Sequence, residues 1–343
     1  MNPDALDRSS TALHRVASGP ELVSDLKPFT IQAVAAEIEP LLEILTAQRG
    51  RKIALLLNLG NRGDGVIHMG GRRLLSSLGL TWQEIRETEA PAKIDAEVLL
   101  VFGGGAFCRG THTLPDLIEA YAPQVRQVVI LPASFELESP RVRRFVQTWD
   151  AKYTVFCREK MSYGQLTRAG LKPKHIYLSH DLAFWNDLQP WALMSHADTV
   201  GIFRRDREAV FDRRPLHLPG MDISRGPDTQ PERLLDYVAR YSVVHTDRTH
   251  AAITAAMMGR EVWLYRNAYF KNQAIYEHSL AHLGNVRFIG KQPLSLRQLA
   301  EVAFTRYVRR NAYVLRQRLR SLLARRADSR TGSTGAPTIL NHS

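Results

Sequence analysis

The first half of the chain alternates short, continuously apolar runs with longer amphipathic segments. Strands that are apolar at every position are typical of a parallel sheet that helices cover on both faces. The pattern predicts strands at 52–58, 98–102, 127–131, 153–157 and 175–178, and helices at 66–78, 114–122, 141–149 and 161–169. A polar segment and a helix interrupted by Pro40 precede this pattern, within residues 1–49.

The same alternation resumes after a connector that contains Trp and Pro, at 185–198. The predicted strands are 199–203, 242–245, 261–265 and 286–288, and the predicted helices are 231–241 and 249–258. A loop rich in Arg, Pro and Gly occupies 204–228. We therefore predict an α/β protein with two Rossmann-like domains, 50–190 and 198–298, that face each other across a cleft.

The net charge of +12 is concentrated near the C-terminus. Residues 306–330 carry nine Arg and one acid, Asp328, which gives +8 and leaves +4 for the rest of the chain. This distribution does not indicate a nucleic-acid partner for the body of the protein. We predict a basic amphipathic helix at 299–328 and a disordered tail at 329–343.

The apolar stripe of this basic helix leaves two interpretations open. It runs through Phe304, Val308, Ala312, Leu315, Leu319 and Leu322. The stripe could pack on the protein itself, or the helix could lie on an anionic membrane surface through the arginines of 306–330. Two cysteines, no secretory signal pattern and no run of about 18 apolar residues predict a cytoplasmic protein, with peripheral membrane attachment left open.

Loops after the first-half strands carry groups that suit an anion. Gly60 to Gly65 follow the first strand, and their backbone N–H groups could bind an anion at a helix N-terminus. A tight turn with Asp64 as helix cap is an equally good interpretation. The candidate ligand contacts of this half are Asn61, Gly63, Asp64, Gly103, Gly104, Gly105 and Ser134.

Arg158 follows the strand 153–157 and is a candidate anion-binding residue. An ordinary salt bridge with Glu159 is the alternative. The pair His180–Asp181 could contact ligand, although a structural hydrogen-bonded pair is favoured. Because parallel strands end at one edge of the sheet, several such loops point to a single site.

Asp247, Arg248 and His250 stand at the carboxyl end of the predicted strand 242–245. They combine an anion receptor with a proton-transfer group within one turn. Two alternatives are a helix cap by Asp247 and a metal pair formed by His245 and His250. Zinc is disfavoured because the i, i+5 spacing is poor and no Cys or carboxylate cluster accompanies the pair.

The ordered set of these elements resembles the polysaccharide pyruvyl transferase family, with a continuation similar to its exopolysaccharide-biosynthesis branch. The elements are GNRGD, GGGAF, LPAS, CREKMS, HDLAF, TDRTHAAITA and YRNAYFKN. The resemblance covers residues 52–285. It implies a two-domain fold like the GT-B glycosyltransferases. It also implies transfer of a pyruvyl group from phosphoenolpyruvate to a sugar of a surface polysaccharide.

The resemblance assigns roles residue by residue. Arg248 and His250 match the family's Arg-x-His pair, and the first loop matches at Asn61, Gly63 and Asp64. Arg204 matches a position that is often Arg, and Arg158 matches an Arg that Asp usually follows. Two residues depart from the pattern: Glu159 replaces that Asp, and Thr249 replaces a bulky apolar residue between Arg and His.

The chemistry of phosphoenolpyruvate agrees with these residue types. Its carboxylate and phosphate need Arg donors and backbone N–H groups, and ketal formation needs an acid that protonates the methylene carbon. The hypothesis makes His250 the general acid and Arg248 and Arg158 the donor clamp. Asp64 or Asp247 would orient or deprotonate the acceptor hydroxyls. No cofactor and no metal are expected.

Two other functions stay open: a GT-B-type glycosyltransferase that uses a sugar nucleotide, and a non-catalytic protein of polysaccharide assembly. The expected partners are phosphoenolpyruvate and a sugar acceptor, either lipid-linked or polymeric. Tyr269 and Lys271 could contact this acceptor, although a solvated loop explains them equally well.

Overall fold

A computed structural model describes residues 35–108, 113–170, 175–194, 197–206, 208–210, 214–215 and 218–290. The N-terminal polar segment before residue 35, the basic helix at 299–328 and the tail at 329–343 therefore lie outside the described residues. So does the surface of 306–330 that could bind a membrane. None of the described helices is long and apolar enough to cross a membrane.

Seven parallel strands form the first sheet. They are β1 (Ile53–Leu57), β2 (Gln83–Arg86), β3 (Val98–Phe102), β4 (Gly104–Phe107), β5 (Gln127–Phe135), β6 (Tyr153–Cys157) and β7 (His175–Leu178). The order is β2-β1-β3-β5-β6-β7, and β4 pairs with β5 beyond the end of β3. Every residue of β1, β3 and β6 is buried, as the apolar runs predict.

Four parallel strands form the second sheet, in the order β11-β10-β9-β8. They are β8 (Ala197–Ile202), β9 (Tyr241–Thr246), β10 (Glu261–Tyr265) and β11 (Val286–Ile289). Both sheets fall within one compact unit of the chain. The mixed α/β class is thus confirmed, while the division into two GT-B-like domains stays a prediction.

Nine α-helices are described. They are α1 (Ala35–Thr46), α2 (Arg62–Ser77), α3 (Leu114–Tyr121), α4 (Pro140–Gln147), α5 (Lys160–Arg168), α6 (Gln189–Ala192), α7 (Glu232–Ala239), α8 (Thr249–Met257) and α9 (Lys271–Ile275). One apolar core joins α1, α2 and β1 to α7, α8 and the second sheet. A second core lies on the other face of the first sheet, against α3 and α4.

Two predicted boundaries were wrong by four residues and two strands were missed, each for a local reason. Helix α2 begins at Arg62 rather than 66, because Asn61 caps it and brings Gly63 and Gly65 into the first turns. Strand β5 continues through Pro132 to Phe135 instead of ending at 131, since β4 and β6 provide partners for the extension. The glycine run after β3 forms β4 rather than a loop, and the polar strand β2 gave no apolar signal.

Candidate functional site

A cavity of about 320 Å³ lies where the loops after strands of both sheets meet. Ligands of open α/β sheets bind at this carboxyl edge. Its walls come from the end of β1 and the start of α2, from β4, and from the segments after β6, β8, β9 and β10. The residues that line it are Asn58, Leu59, Gly60, Asn61, Gly63, Asp64, Gly105, Ala106, Cys108, Arg158, Arg204, Glu208, Ser224, Arg248, Thr249, His250, Tyr269 and Lys271.

The first turn of α2 forms one wall. The Asn61 side chain accepts from the Gly63 N–H at 2.8 Å, and the Asp64 carboxylate accepts from the Asn61 N–H at 2.9 Å. This reciprocal pair is a capping box, so the predicted capping role of Asp64 is present. Both side chains also line the cavity, next to a helix N-terminus whose dipole favours an anion.

His250 packs directly against this turn. A Cβ placed on Gly63 would lie 2.7 Å from Nδ1 of His250 and 3.3 Å from its Cβ. Real Cβ contacts are essentially never that short, so only glycine fits at position 63 without a shift. Gly63, which the sequence predicted as an anion contact, therefore also leaves space for His250 of α8.

Arg158 is fully buried at the floor of the site, with 1% of its surface exposed. Its Nε donates to the Ser134 hydroxyl at 2.8 Å, and its Nη1 donates to Asp181 Oδ2 at 2.7 Å. Burial opposes the charge of both partners, but each holds the other ionised. The pKa of Arg158 is raised beside Asp181, and the pKa of Asp181 lies below its usual range beside Arg158 and His250.

Glu159 does not pair with Arg158, so the salt-bridge alternative was wrong. Its buried carboxylate caps α5, where it accepts from the Ser162 N–H at 2.9 Å and also contacts the Ser162 hydroxyl. Ser162 in turn donates to the Phe135 carbonyl at 3.2 Å. Glu159, at the position where Asp is usual, therefore serves as a helix cap, and Arg158 forms its ion pair with Asp181 instead.

Carboxylates already bind the two arginines of the second sheet. Arg248 makes a bidentate pair with Asp222, at 2.9 and 2.6 Å, and its Nη2 lies 3.1 Å from Asp206. Arg204 makes a bidentate pair with Asp206, at 2.8 and 3.1 Å, and also contacts Glu208. An anion that enters the cavity must share or replace these carboxylates.

Lys271, at the start of α9, is a pocket residue rather than part of a solvated loop. Its ammonium lies 3.6 Å from Glu208 and 5.2 Å from the centre of the Tyr269 ring. Burial lowers the pKa of Lys271, while Glu208 opposes the shift. Burial raises the pKa of Tyr269 well above its usual value, which keeps the phenol protonated as a donor.

Thr249 fixes the segment that carries Lys271. Its hydroxyl donates to Asn272 Oδ1 at 2.7 Å, and Asn272 donates to the backbone carbonyls of Asp247 and Tyr265 at 2.8 and 2.9 Å. A bulky apolar residue at 249 could not make the first of these bonds. The threonine is thus matched to a polar neighbour, which ties the start of α8 to the start of α9.

Four candidate ligand contacts are not among the cavity-lining residues: Gly103, Gly104, Ser134 and Asp247. A Cβ on Gly103 would overlap the Phe107 ring, and Gly104 has a positive φ of 46°. Ser134 binds Arg158, and Asp247 accepts from the Arg204 N–H at 2.8 Å instead of capping α8. These four residues do not line the cavity, and their roles as ligand contacts stay predictions.

One cluster of possible metal ligands occurs among the described residues: Glu37, His180 and His278. The two imidazole rings stack in parallel, with centroids 4.4 Å apart and planes 3° apart. Their in-plane lone pairs therefore cannot converge on one ion, and His278 Nε2 already lies 2.9 Å from the Ser179 carbonyl. His245 binds the Tyr265 hydroxyl at 2.9 Å, away from the cavity lining.

Sequence reasoning missed the importance of Asp181, Asp206, Glu208 and Asp222. Asp181 carried a usable signal, since it follows β7 as Arg158 follows β6, and neighbouring strands end at the same edge. The other three acids belong to an irregular segment after β8 without periodicity. Only the fold shows that these three acids contact Arg204 and Arg248.

The family model of polysaccharide pyruvyl transferase matches residues 61–269, more than half of the chain. A crystal structure of a functionally uncharacterised protein from Klebsiella pneumoniae is similar, with 26% identity and a TM-score of 0.59. The similarity covers 74% of this chain and 97% of that one. No curated protein matches the chain. Because the family model covers more than half of the chain, including most of the residues that line the cavity, the chain belongs to the polysaccharide pyruvyl transferase family.

Proposed function

We propose that this protein transfers a pyruvyl group from phosphoenolpyruvate to two hydroxyls of a sugar, as a ketal, during exopolysaccharide biosynthesis. One observation carries the proposal. Arg158, Arg248 and Lys271 surround one cavity together with His250, although they come from three separate stretches of sequence. A cluster of cations beside one histidine suits a small ligand that carries a carboxylate, a phosphate and a carbon to be protonated.

The proposed reaction begins with a proton that His250 donates to the methylene carbon of phosphoenolpyruvate. The resulting oxocarbenium-like centre is attacked by a first sugar hydroxyl, and the C–O bond to phosphate then breaks. A second hydroxyl attacks the same carbon and closes the ketal. Of the two hydroxyl protons, one restores His250 and the other leaves with the phosphate. The net products are the pyruvyl ketal and inorganic phosphate.

The cations have separate tasks in this scheme. Arg248 and Arg158 stabilise the negative charge that the departing phosphate gains, which is the usual role of an arginine fork at a phosphoryl group. Lys271 offers a point charge beside Gly105, the glycine that Arg158 also faces. Asp64 lies at the turn of α2 that faces His250, and in this scheme it orients an acceptor hydroxyl.

Calorimetric titration with phosphoenolpyruvate and, separately, with a panel of sugar nucleotides tests the proposal. We expect binding of phosphoenolpyruvate that weakens at least tenfold in Arg248→Lys, because lysine cannot form the bidentate contact. Arg144→Lys, an exposed substitution on α4, is the matched control and should bind like the wild type. Binding of sugar nucleotides alone would instead favour a glycosyltransferase. Binding of neither would favour a non-catalytic assembly protein.

We further propose that the enzyme acts in the cytoplasm on a lipid-linked or polymeric acceptor, with the basic segment 306–330 attracted to an anionic membrane face. Vesicles with and without anionic lipid provide the test. We expect the full chain to co-sediment with anionic vesicles and a chain truncated at Thr305 to lose this binding. Equal sedimentation of the two chains would contradict the membrane proposal and leave the pyruvyl transfer proposal untouched.

A further inference from the structure

One buried carboxylate lies between the two groups assigned to catalysis on different sheets. Asp181 Oδ2 is 2.7 Å from Arg158 Nη1 and 3.5 Å from His250 Nε2. The other oxygen, Oδ1, accepts from the Ala183 N–H at 2.8 Å, so the 3₁₀ turn Leu182–Trp185 fixes the carboxylate. Only 1% of Asp181 is exposed.

The two nitrogens of the His250 ring have different surroundings. Nε2 is buried and has no hydrogen-bond partner within the described residues, and Asp181 faces it at 3.5 Å. Nδ1 lies on the side of Gly63, at the first turn of α2, which lines the cavity. An ionised carboxylate can only accept a hydrogen bond, so a contact with Nε2 requires the proton on that atom. Such contacts are often long in the empty site and shorten when ligand binds.

We propose that Asp181 is a positioning residue that holds neutral His250 in the Nε2–H tautomer, which makes Nδ1 the atom that exchanges a proton with the ligand. In the proposed reaction the imidazolium gives its Nδ1 proton to the methylene carbon, and the ring remains neutral with Nε2–H directed at Asp181. The same carboxylate fixes Arg158 by an ion pair. This inference rests on the proposed function, in which His250 is the proton donor.

The tautomer can be measured on the full chain without any ligand. Nitrogen-15 shifts of histidine rings distinguish Nδ1–H from Nε2–H, and a His250→Gln variant identifies the signal of His250. At about pH 9, where an ordinary histidine is neutral, we expect the Nε2–H pattern. An Nδ1–H pattern would overturn the proposal.

The double variant Asp181→Leu with Arg158→Met supplies an independent test, because it removes the acceptor that faces His250 Nε2 without leaving Arg158 a buried, unpaired charge. Nε2 then has no acceptor, whereas Nδ1 lies on the cavity side, so the neutral ring should carry its proton on Nδ1. We therefore expect the nitrogen-15 signal to change to the Nδ1–H pattern. An unchanged Nε2–H pattern in the folded variant would contradict the inference. If the variant does not fold, the wild-type tautomer decides alone.

Ser134→Ala is the matched control. It removes the bond from Arg158 Nε to the Ser134 hydroxyl but leaves the Asp181–His250 contact in place. We expect the His250 signal of this variant to show the wild-type tautomer. A changed tautomer would mean that any disturbance of Arg158 alters it, so Asp181 would not be its specific cause. Titration of the wild type with phosphoenolpyruvate tests the proposed function separately. If the wild-type protein shows the Nε2–H pattern but binds no phosphoenolpyruvate, phosphoenolpyruvate is not the pyruvyl donor, and the tautomer assignment still holds.

Discussion

Gly63→Ala should weaken ligand binding at the site while it changes the stability of helix α2 only slightly. Gly63 lies in the first turn of α2 with an ordinary helical backbone, so alanine is favoured there by about 1 kcal/mol of helix propensity. The added methyl, however, would stand 2.7 Å from His250 Nδ1 and 3.3 Å from its Cβ. Ordinary contact begins at 3.4 Å, so the ring must move by the difference of 0.7 Å.

A displacement of this size lengthens a normal hydrogen bond from Nδ1 to a bound anion beyond hydrogen-bonding distance. Loss of one charge-assisted bond costs about 1.5–3 kcal/mol, which weakens phosphoenolpyruvate binding about 10- to 150-fold. Overpacking costs about 1–3 kcal/mol and the helix gains about 1 kcal/mol, so the free energy of unfolding should fall by less than about 2 kcal/mol. Calorimetry and urea denaturation measure the two effects.

Gly164→Ala is the control for helix propensity alone. Gly164 lies within α5, and a Cβ there would first meet the flexible guanidinium of Arg168, at 3.1 Å. This variant should gain about 1 kcal/mol of stability and bind phosphoenolpyruvate like the wild type. A folded Gly63→Ala protein with an affinity within twofold of the wild type would refute the assignment of His250 as a donor contact.

Three further outcomes follow from the charges and burial of the site. Asp206→Asn should bind phosphoenolpyruvate about fivefold more tightly, because the partly exposed Asp206 carboxylate no longer competes for Arg248 and Arg204, a change of about 1 kcal/mol. Weaker binding by calorimetry would show that Asp206 helps to form the site. Burial, and then the neighbouring His278, lowers the pKa of His180 to about 3. Because the unfolded chain takes up a proton at this histidine first, His180 should lower the free energy of unfolding by about 2 kcal/mol between pH 6.5 and 5. In urea denaturation, His180→Asn should remove this contribution to the pH dependence. Burial raises the pKa of Cys108, which lies in the cavity wall, to about 12. Its thiol should therefore resist an aromatic disulfide reagent at pH 8 in the native protein. Rapid labelling would show that the cavity opens.

Apolar periodicity alone predicted most strands, and the polar loops after them pointed to the edge at which the cavity lies. It worked for β1, β3 and β6 because buried parallel strands cannot tolerate polar positions. It failed for β2, whose residues Gln83–Arg86 are largely exposed at the sheet edge. It also failed at the end of β5, where Pro132 is tolerated only because the register with β6 shifts between Ile130 and Ala133.

Within the site, the sequence identified the cations better than the residues that hold them. Arg158, Arg248 and His250 could be identified because each follows a strand. Among their counterions, Asp181 had a signal, since it follows β7 beside β6. Asp222, which pairs with Arg248 across 26 positions, had none, because an ion pair between separate segments of the chain has no local signature. The sequence also left the choice between cap and ligand contact open for Asp64, which caps α2 and lines the cavity.

Arg62 joins the start of α2 to the segment after β8. Its guanidinium donates to the carbonyls of Ile223 and Arg225, its own N–H donates to the carbonyl of Ser224, and Asn61 forms a β-bridge with Pro227. Drawing α2 away from the segment after β8 would leave several of these backbone carbonyls without a donor at once. We therefore expect ligand to enter without a separation of α2 from this segment. Exchange of ligand should accordingly be limited by displacement of Asp206 and Glu208 from their arginines rather than by opening of the fold.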